Sequence, residues 1–253
     1  MVIPAAIGAA FLVVPLVGLV AQAPWGRLPT LLLTEATRSA LWLSLWTSTA
    51  AAALCILVGT PLGWGFARAA IPGRRVLRGL VLTPLVLPPV VAGVALLSAF
   101  GRSGIIGAPL RTAFGVSIPY TSLAVVLAHA FVAMPFFVLS AEAAFRALPD
   151  RLEAQADSLG ASPWRVFASV TLPLAAPGLL AATVLAWARS LGEFGATITF
   201  AGNYPGTTRT LPLEVYTQLQ ADPAAATAVS LVLFAVCLGV LIGLRERWWG
   251  ALR

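Results

Sequence analysis

The side chains that could carry catalytic or metal chemistry are few in this sequence. It holds one histidine, His129, and two cysteines, Cys55 and Cys237, and its sixteen Lys and Arg residues are all arginine. A Walker-type phosphate loop needs a lysine, and the common zinc motifs need paired histidines or two pairs of cysteines. The sequence therefore predicts no ATP-hydrolysing loop of its own, no metal site, no cofactor and no catalytic residues.

The composition places these residues in a membrane. Of 253 residues, 59% are hydrophobic and 10% are charged, against about 25% charged in a typical soluble domain. Six windows of at least 20 residues lack Asp, Glu, Lys and Arg, and a helix of that length can cross a bilayer. They are 2–25, 39–67, 79–101, 112–141, 166–188 and 223–244. The sequence predicts an all-α, polytopic membrane protein with six transmembrane helices.

The first window also has the marks of a secretory signal, since Ala21-Gln22-Ala23 resembles a cleavage site for signal peptidase. No basic residue precedes the window, however, and its apolar stretch is longer than the core of a signal peptide. We therefore interpret it as the first transmembrane helix.

The arginines indicate the orientation of the helices. The segments that follow the second, fourth and sixth windows hold ten of the sixteen, and short cytoplasmic loops carry an excess of basic residues. We therefore predict that both termini are cytoplasmic. Nucleic-acid binding is not predicted, because the arginines are scattered between apolar windows instead of forming one basic face.

Prolines interrupt the third, fourth and fifth windows. They are Pro84, Pro88, Pro89, Pro135, Pro173 and Pro177. A proline inside a membrane helix frees a carbonyl that needs another partner, so such helices tend to be buried in protein or to line a wet cavity. One proline is explained by a packing kink, whereas several together favour a pathway between helices.

The loop before the fifth window has the pattern of a short amphipathic helix. Its apolar residues recur at spacings of four, four and three, which puts them on one helical face: Leu148, Leu152, Ala156 and Leu159. Asp150 and Glu153 near its start complement the helix dipole. Gly160 supplies a left-handed stop, and Ser162-Pro163 predicts the start of the next helix. Such a helix either docks a partner or lies on lipid headgroups.

The same loop resembles the EAA loop of ABC importer permeases. The resemblance rests on Glu153-Ala154-Gln155-Ala156-Asp157-Ser158-Leu159-Gly160 and on Val170-Thr171-Leu172-Pro173. In that family the loop forms a cytoplasmic coupling helix that fits a groove on the ATPase subunit. Two departures are Gln155, which interrupts the alanines, and Glu153, which stands seven residues before Gly160 instead of six. The resemblance implies an ATPase-coupling role for Glu153, Ala154, Gln155, Ala156, Gly160, Leu172 and Pro173.

A second motif narrows the resemblance to the molybdate permease subfamily. It runs Ala188-Arg189-Ser190-Leu191-Gly192-Glu193-Phe194-Gly195-Ala196-Thr197-Ile198-Thr199-Phe200-Ala201-Gly202-Asn203, followed by Thr208-Arg209-Thr210-Leu211-Pro212. Sulfate and thiosulfate permeases share the Gly-Glu-Phe-Gly core but usually diverge after it. The resemblance implies the type I ABC importer permease fold. It divides the chain into an N-terminal helix with an outer loop (1–38), a permease domain (39–244, coupling loop about 148–163) and a short cytoplasmic tail (245–253).

The resemblance also implies a function and a set of partners. The chain would be the permease subunit of an ATP-driven importer of molybdate or tungstate in the cytoplasmic membrane of a bacterium or archaeon, with sulfate or thiosulfate as the alternative substrate. Its partners would be two ATPase subunits, a second copy of the permease, an extracytoplasmic molybdate-binding protein and membrane lipid.

A tetrahedral dianion needs hydrogen-bond donors along its path, and a pore must hold it weakly enough to release it. The donors and exposed backbone near the outer end of the fifth helix are Ser190, Gly192, Glu193, Gly195, Thr197, Thr199 and Asn203. Either this stretch lines or gates the outer end of the path, or it closes the outer surface and docks the binding protein. We interpret Glu193 as the partner of Arg189 in a helical ion pair.

Two further residues have open roles. Arg209 either attracts anions or binds an acidic surface of a partner. His129 is interpreted as a hydrogen-bonded core residue in preference to a proton relay. An ion-coupled secondary transporter and a membrane-embedded enzyme remain alternatives. Both would need more ionisable groups inside the membrane than His129 alone.

Overall fold

The structure is a computed structural model that describes residues 2–251, and within this range it is helical and contains no strand. The α-helices are α1 (Val2–Ala21), α2 (Leu28–Leu32), α3 (Glu35–Leu54), α4 (Thr60–Arg68), α5 (Arg74–Leu82), α6 (Pro89–Phe100), α7 (Gly107–Phe114), α8 (Ser122–Arg146), α9 (Asp150–Ser158), α10 (Pro163–Val166), α11 (Leu172–Leu191), α12 (Gly195–Phe200), α13 (Leu211–Ala221) and α14 (Pro223–Ala251). Two 3₁₀ segments, Trp25–Arg27 and Thr83–Leu85, and two π-helical segments, Cys55–Gly59 and Phe167–Thr171, complete the helical structure of the described range.

Helices long and apolar enough to cross a membrane account for most of the predicted windows. Within the described range there are five: Ile3–Ala21, Glu35–Arg68, Ser122–Arg146, Pro163–Leu191 and Pro223–Val240. A sixth apolar segment is a bent pair, and counting it as one span gives the predicted number of six.

The third window is not the single helix that its composition predicts. The helical stretches Arg74–Leu85 and Pro89–Phe100 meet at an angle of 117°. Pro88 has an extended backbone (φ −54°, ψ 137°), because the residue before a proline is disfavoured in the helical region, and Pro89 brings no N–H for a continuing helix. Pro88 and Pro89 thus divide the third window into two helical stretches instead of only bending it.

The fourth transmembrane helix begins ten residues later than its window. α7 ends at Phe114 and is followed by Gly115, which has φ +68°. α8 starts only at Ser122, with the Thr121 hydroxyl accepting a hydrogen bond from the backbone N–H of Ala124. Hydropathy alone cannot separate these two helices, because the intervening loop carries no charge.

Two spans contain a π-helical segment that precedes a proline. Pro61 follows Cys55–Gly59, and Pro173 follows Phe167–Thr171. A proline ring clashes with the carbonyl four residues earlier and removes the corresponding hydrogen bond. In both cases that carbonyl lies inside the π segment, which is the kind of local widening by which a helix accommodates the clash.

The chain divides into two compact units, Leu45–Gly202 with Glu246–Arg253, and Met1–Ser44 with Asn203–Arg245. In the first of these, α8 is the central helix. One end of α8 packs in a cluster with Ala92, Leu96, Ala196 and Phe200. Its other end, from Ala133 to Phe145, packs with Cys55 and with alanines of α11. This unit holds the predicted coupling loop and the second motif as far as Gly202, whereas Asn203 and residues 208–212 belong to the other unit.

The other unit is built around α13 and α14. Ala40, Leu211 and Val229 form a small buried cluster, and the Ser44 hydroxyl accepts a hydrogen bond from the Leu211 backbone N–H at 2.7 Å. α1 belongs to this unit, and its apolar side chains are largely exposed, with Phe11 77% exposed. Exposed apolar side chains on such a helix suit contact with lipid.

Candidate functional site: a coupling loop and a helix-end gate

The predicted amphipathic helix is present as α9. Asp150 and Glu153 lie in its first turn, and Gly160 has a left-handed backbone with φ +82°, as predicted. The predicted apolar face is wrong at one position. Leu152 and Ala156 are half-buried, but Leu159 is 89% exposed, because α9 ends at Ser158 and the chain turns away from that face.

The inner face of α9 is tied to the ends of two membrane helices. The Thr171 hydroxyl, in the π segment before α11, donates a hydrogen bond to Glu153 Oε1 at 2.8 Å. Arg68, at the end of α4, pairs with Asp150, lies with its Nε 3.6 Å from Glu153 Oε2, and donates to the Leu148 carbonyl. A movement of α9 would therefore be transmitted to α4 and α11 through charged and hydrogen-bonded contacts.

An aromatic cluster reinforces the same junction. Phe167, in the π segment, lies 5.7 Å from both Trp64 and Trp164 and 6.4 Å from Phe145, measured between ring centroids. Offset and edge-on ring pairs at these distances contribute about 0.5–1.5 kcal/mol each. The base of α11 is thus held rigidly against α4 and α8.

The opposite face of α9 is open. A shallow cavity of about 580 Å³ is lined by Arg151, Ala154, Gln155, Ser158 and Leu159. Trp164, just beyond the loop, is 74% exposed. Of the residues predicted to couple, Ala154 and Gln155 thus lie on the open face, whereas Glu153 points inward.

A buried carboxylate close to this junction is not among the residues that the sequence predicts to be functional, because it lies directly beyond the charge-free fourth window. Glu142 of α8 has a side chain only 3% exposed and pairs with Arg146 at 2.6 Å, Arg78 at 3.0 Å and Arg74 at 3.7 Å. These pairs hold α5 against α8. The sequence signal for this site is an apolar stretch that is followed by Glu and Arg four residues apart.

The second marked stretch forms a turn between α11 and α12. Arg189 and Glu193 make the predicted ion pair, with 2.8 Å between Nη1 and Oε2. Glu193 also accepts a hydrogen bond from the Ala196 backbone N–H at 2.9 Å, so the same buried carboxylate caps the first turn of α12. Glu193 is therefore fully engaged by its own chain.

α12 packs against α6 at two glycines. A Cβ on Gly195 would lie 2.5 Å from the Pro89 Cβ, and a Cβ on Gly93 would lie 2.5 Å from the Thr199 Cβ. Real Cβ atoms do not approach other carbons that closely, so glycine is required at both positions for this contact. The contact closes the space between the two helix ends.

The remaining predicted path residues are mostly occupied by local hydrogen bonds. Ser190 donates to the Trp187 carbonyl and Thr199 to the Gly195 carbonyl, each at 2.8 Å. Thr197 is fully buried, and its hydroxyl has no hydrogen-bond partner among the described residues. Gly192 is exposed. Asn203 belongs to the other unit, where it accepts from Arg209 Nε at 2.9 Å and donates to Thr217.

The structure narrows the possible roles of Arg209 and His129. Arg209 is held by Asn203 and by Glu214, whose Oε2 lies 3.4 Å from its Nη1, so its guanidinium braces its own loop. His129 is a buried core residue as interpreted, but the predicted hydrogen bond is wrong. Within the described part of the chain neither ring nitrogen has a partner.

Comparison with known families decides the class of protein. Residues 59–250 match the family described as the inner membrane component of binding-protein-dependent transport systems. The chain belongs to this family. It is an ABC transporter permease subunit with a multi-pass membrane fold.

Curated relatives of this permease cover nearly its whole length. It is 49% identical over 245 residues to the Molybdenum transport system permease protein ModB of Mycobacterium tuberculosis, covering 97% of this chain and 92% of the relative. It is 40% identical over 218 residues to the protein of the same name from Escherichia coli K12, covering 86% and 95%.

Solved structures share the fold of this permease. A bacterial ABC transporter involved in import of the acidic polysaccharide alginate aligns with a TM-score of 0.72 at 19% identity, covering 98% of this chain and 93% of that chain. An inward-facing MetNI methionine ABC transporter aligns with a TM-score of 0.66 at 18% identity, covering 85% and 95%. The type I importer permease fold implied by the motifs is thereby confirmed.

Proposed function

We propose that this permease forms the membrane path of an ATP-driven importer of molybdate, with tungstate as a second substrate. The observation that carries the proposal is the 49% identity to a molybdenum transport permease across 97% of the chain. The identity extends beyond the coupling loop common to the wider family. Sulfate and thiosulfate are the alternative substrates.

We infer the partners from the same relationship. ATP is hydrolysed by two copies of a separate ATPase subunit, substrate is delivered by an extracytoplasmic molybdate-binding protein, and two copies of the permease form the path. Both termini are cytoplasmic, and residues 39–244 form the permease domain between an N-terminal segment (1–38) and a short tail (245–253).

The ATPase binds the open face of α9. Ala154, Gln155 and the exposed Leu159 supply a small, partly apolar surface that a groove on a partner can cover. Glu153 and Ala156 lie on the inner side, where Glu153 joins α9 to Thr171 and Arg68. We therefore divide the coupling residues into a docking group and a transmitting group. The backbone that connects α9 to α11 is fixed by Gly160, Leu172 and Pro173.

The turn between α11 and α12 acts as a gate. In this conformation α12 packs closely against α6. A buried hydroxyl without a hydrogen-bond partner lowers the stability of a fold by about 1–3 kcal/mol. The unpartnered hydroxyl of Thr197 fits a segment that gains partners in a second conformation. Separating α12 from α6 would expose Thr197 and Thr199 to a passing dianion.

Reconstitution tests the energy source. The permease, its cognate ATPase subunit and its binding protein are placed in proteoliposomes, and uptake of labelled molybdate is measured with ATP inside. We expect uptake that requires ATP, persists when a protonophore collapses the ion gradient, and is lost when the Walker lysine of the ATPase is replaced. Uptake that follows the ion gradient without ATP would support a secondary transporter instead.

A paired substitution tests the gate. Thr197→Val with Thr199→Val keeps side-chain shape but removes both hydroxyls, and we expect the molybdate uptake rate to fall several-fold. Thr183→Val is the matched control, because its hydroxyl bonds only to the Leu179 carbonyl within α11. Unchanged uptake in the double variant would show that the hydroxyls do not contact the substrate.

A further inference from the structure

A basic pocket lies between α5 and the end of α8. It has a volume of about 480 Å³ and is lined by Arg74, Arg75, Arg78, Gly79, Leu82 and Arg146. Four arginines around one pocket are a quarter of all the arginines in the chain. None of the roles proposed above involves these four arginines.

The charge of the pocket is not balanced by the described residues around it. Glu142 is the one carboxylate in the described range that pairs with its arginines, and it serves Arg74, Arg78 and Arg146 together. Arg75 is exposed and makes no ion pair with any described residue. Three guanidinium groups therefore share a single buried carboxylate, and the fourth, that of Arg75, has no carboxylate partner among the described residues. The excess positive charge calls for an anionic ligand.

The geometry favours an oxyanion. Guanidinium groups donate paired hydrogen bonds that match the oxygens of phosphate. Glu142 already holds three of the guanidinium groups in place, which reduces the conformational entropy that these side chains lose when they bind a ligand. The pocket is therefore preorganised for a phosphate-sized group.

The apolar surroundings favour a lipid over a free ion. Leu82 of α5, one helical turn beyond Arg78 and on the same helical face, forms part of the pocket wall. Val86, just after this segment, is 83% exposed. These side chains would lie against hydrocarbon while the arginines stay at the level of the headgroups, as basic side chains do at membrane interfaces. A free oxyanion would contact the arginines and leave the Leu82 side chain uncovered.

We propose that this pocket binds the phosphate-bearing headgroup of an anionic membrane phospholipid, with the acyl chains extending past Leu82. The bound headgroup joins α5 to α8 on the side where Arg146 donates a hydrogen bond to the Phe66 carbonyl of α4. α4 also carries Arg68, which holds the coupling helix. The lipid thus stabilises the helix bundle next to the coupling loop, and this proposal does not depend on which substrate is transported.

The test uses the purified full-length permease in detergent. Phosphatidylglycerol or phosphatidylcholine is titrated in, and bound lipid is measured by native mass spectrometry together with the melting temperature. We expect phosphatidylglycerol to bind and to raise the melting temperature, and phosphatidylcholine to do so much less. Each basic residue near an anionic headgroup contributes roughly 1 kcal/mol, so Arg74→Gln with Arg75→Gln should weaken phosphatidylglycerol binding by about 30-fold.

Two variants keep the test decisive. Arg75→Gln alone removes no ion pair seen in the described range, so the fold should be retained, and it should weaken binding by about 5-fold. Arg111→Gln removes an exposed arginine outside the pocket and should bind phosphatidylglycerol like the unmodified protein. Equal lipid binding by all of these proteins would overturn the proposal.

Other ligands give distinct results. If millimolar inorganic phosphate or molybdate raised the melting temperature as strongly as phosphatidylglycerol, and lost this effect in Arg75→Gln, the pocket would bind a free oxyanion and the lipid assignment would be wrong. If Arg75→Gln lost binding of the ATPase subunit with lipid binding unchanged, the surface would belong to a protein partner, which would also overturn the proposal.

Discussion

At the scale of single residues, the hydrogen bond from Thr171 to Glu153 is the contact that joins the coupling helix to the membrane helix α11. Thr171 is buried, with 2% of its surface exposed, and Glu153 keeps 26% of its side chain exposed. A hydrogen bond to a charged group contributes about 1.5–3 kcal/mol. The carboxylate is therefore engaged within the permease, while the neighbouring Ala154 and Gln155 lie on the open face of α9.

Removing this hydrogen bond should uncouple hydrolysis from transport. Thr171→Val preserves shape and should lower molybdate uptake per ATP hydrolysed by roughly 10-fold, the factor that corresponds to about 1.4 kcal/mol, while the ATPase subunit still binds. The measurement compares ATP hydrolysis with uptake in the same proteoliposomes, and Thr183→Val serves as control. An unchanged ratio would contradict the transmitting role of Thr171.

Gly160 tests the backbone of the same loop. Its φ of +82° is unfavourable for other residues, whereas no atom lies within 4 Å of where a Cβ would be. A β-branched residue is the least tolerant of this conformation, and asparagine is among the most tolerant. Gly160→Val should therefore abolish coupled uptake, and Gly160→Asn should retain most of it. Fully coupled uptake in Gly160→Val would show that the left-handed turn is dispensable.

At the scale of elements, the contact between α6 and α12 depends on two glycines. Gly195→Ala would force a Cβ to within 2.5 Å of the rigid Pro89 ring, and such overpacking costs about 1–3 kcal/mol. We expect a lower melting temperature and a leak of molybdate in the absence of ATP. Gly192→Ala is the control, since nothing lies within 4 Å of its added Cβ. Equal melting temperatures for the two variants would contradict the close packing.

The start of α14 provides a pH-dependent test. The backbone N–H of Ala225, together with the Arg27 side chain and the N–H of Ala224, holds the pKa of Asp222 below its ordinary value. A carboxyl with a lowered pKa in the folded state stabilises the fold above its unfolded pKa and loses this effect as the pH falls through the folded pKa. Asp222→Ala should lower the melting temperature at pH 7, and the difference should shrink on acidification. A difference that grew in acid would refute this assignment.

The elements differ in how far the sequence determines them. Charge-free windows predicted the membrane helices, and the α9 helix followed from its spacing, because both depend on local pattern. The break at Pro88 and the separate α7 did not follow, since hydropathy averages over turns. The inward direction of Glu153 depends on Arg68 and Thr171, which are distant in sequence. Glu142 stands just beyond a charge-free window, and its role did not follow from local pattern either, because its partners Arg74 and Arg78 lie on another helix.

At the scale of the whole molecule, each of the proposed functions belongs to a different part of the chain. We propose that the open face of α9 binds the ATPase, that the contacts of Glu153 transmit its motion, and that the turn from α11 to α12 controls access to the path. Charged side chains are absent from the six apolar windows of the sequence. Weak binding along the path is consistent with rapid release of a dianion.

Competition for uptake tests most directly whether molybdate is the substrate. Labelled molybdate uptake is measured in proteoliposomes that contain the permease, its ATPase and its binding protein, with an equal excess of unlabelled tungstate or sulfate. We expect strong inhibition by tungstate and little by sulfate. Inhibition by sulfate as strong as that by tungstate would contradict a molybdate importer.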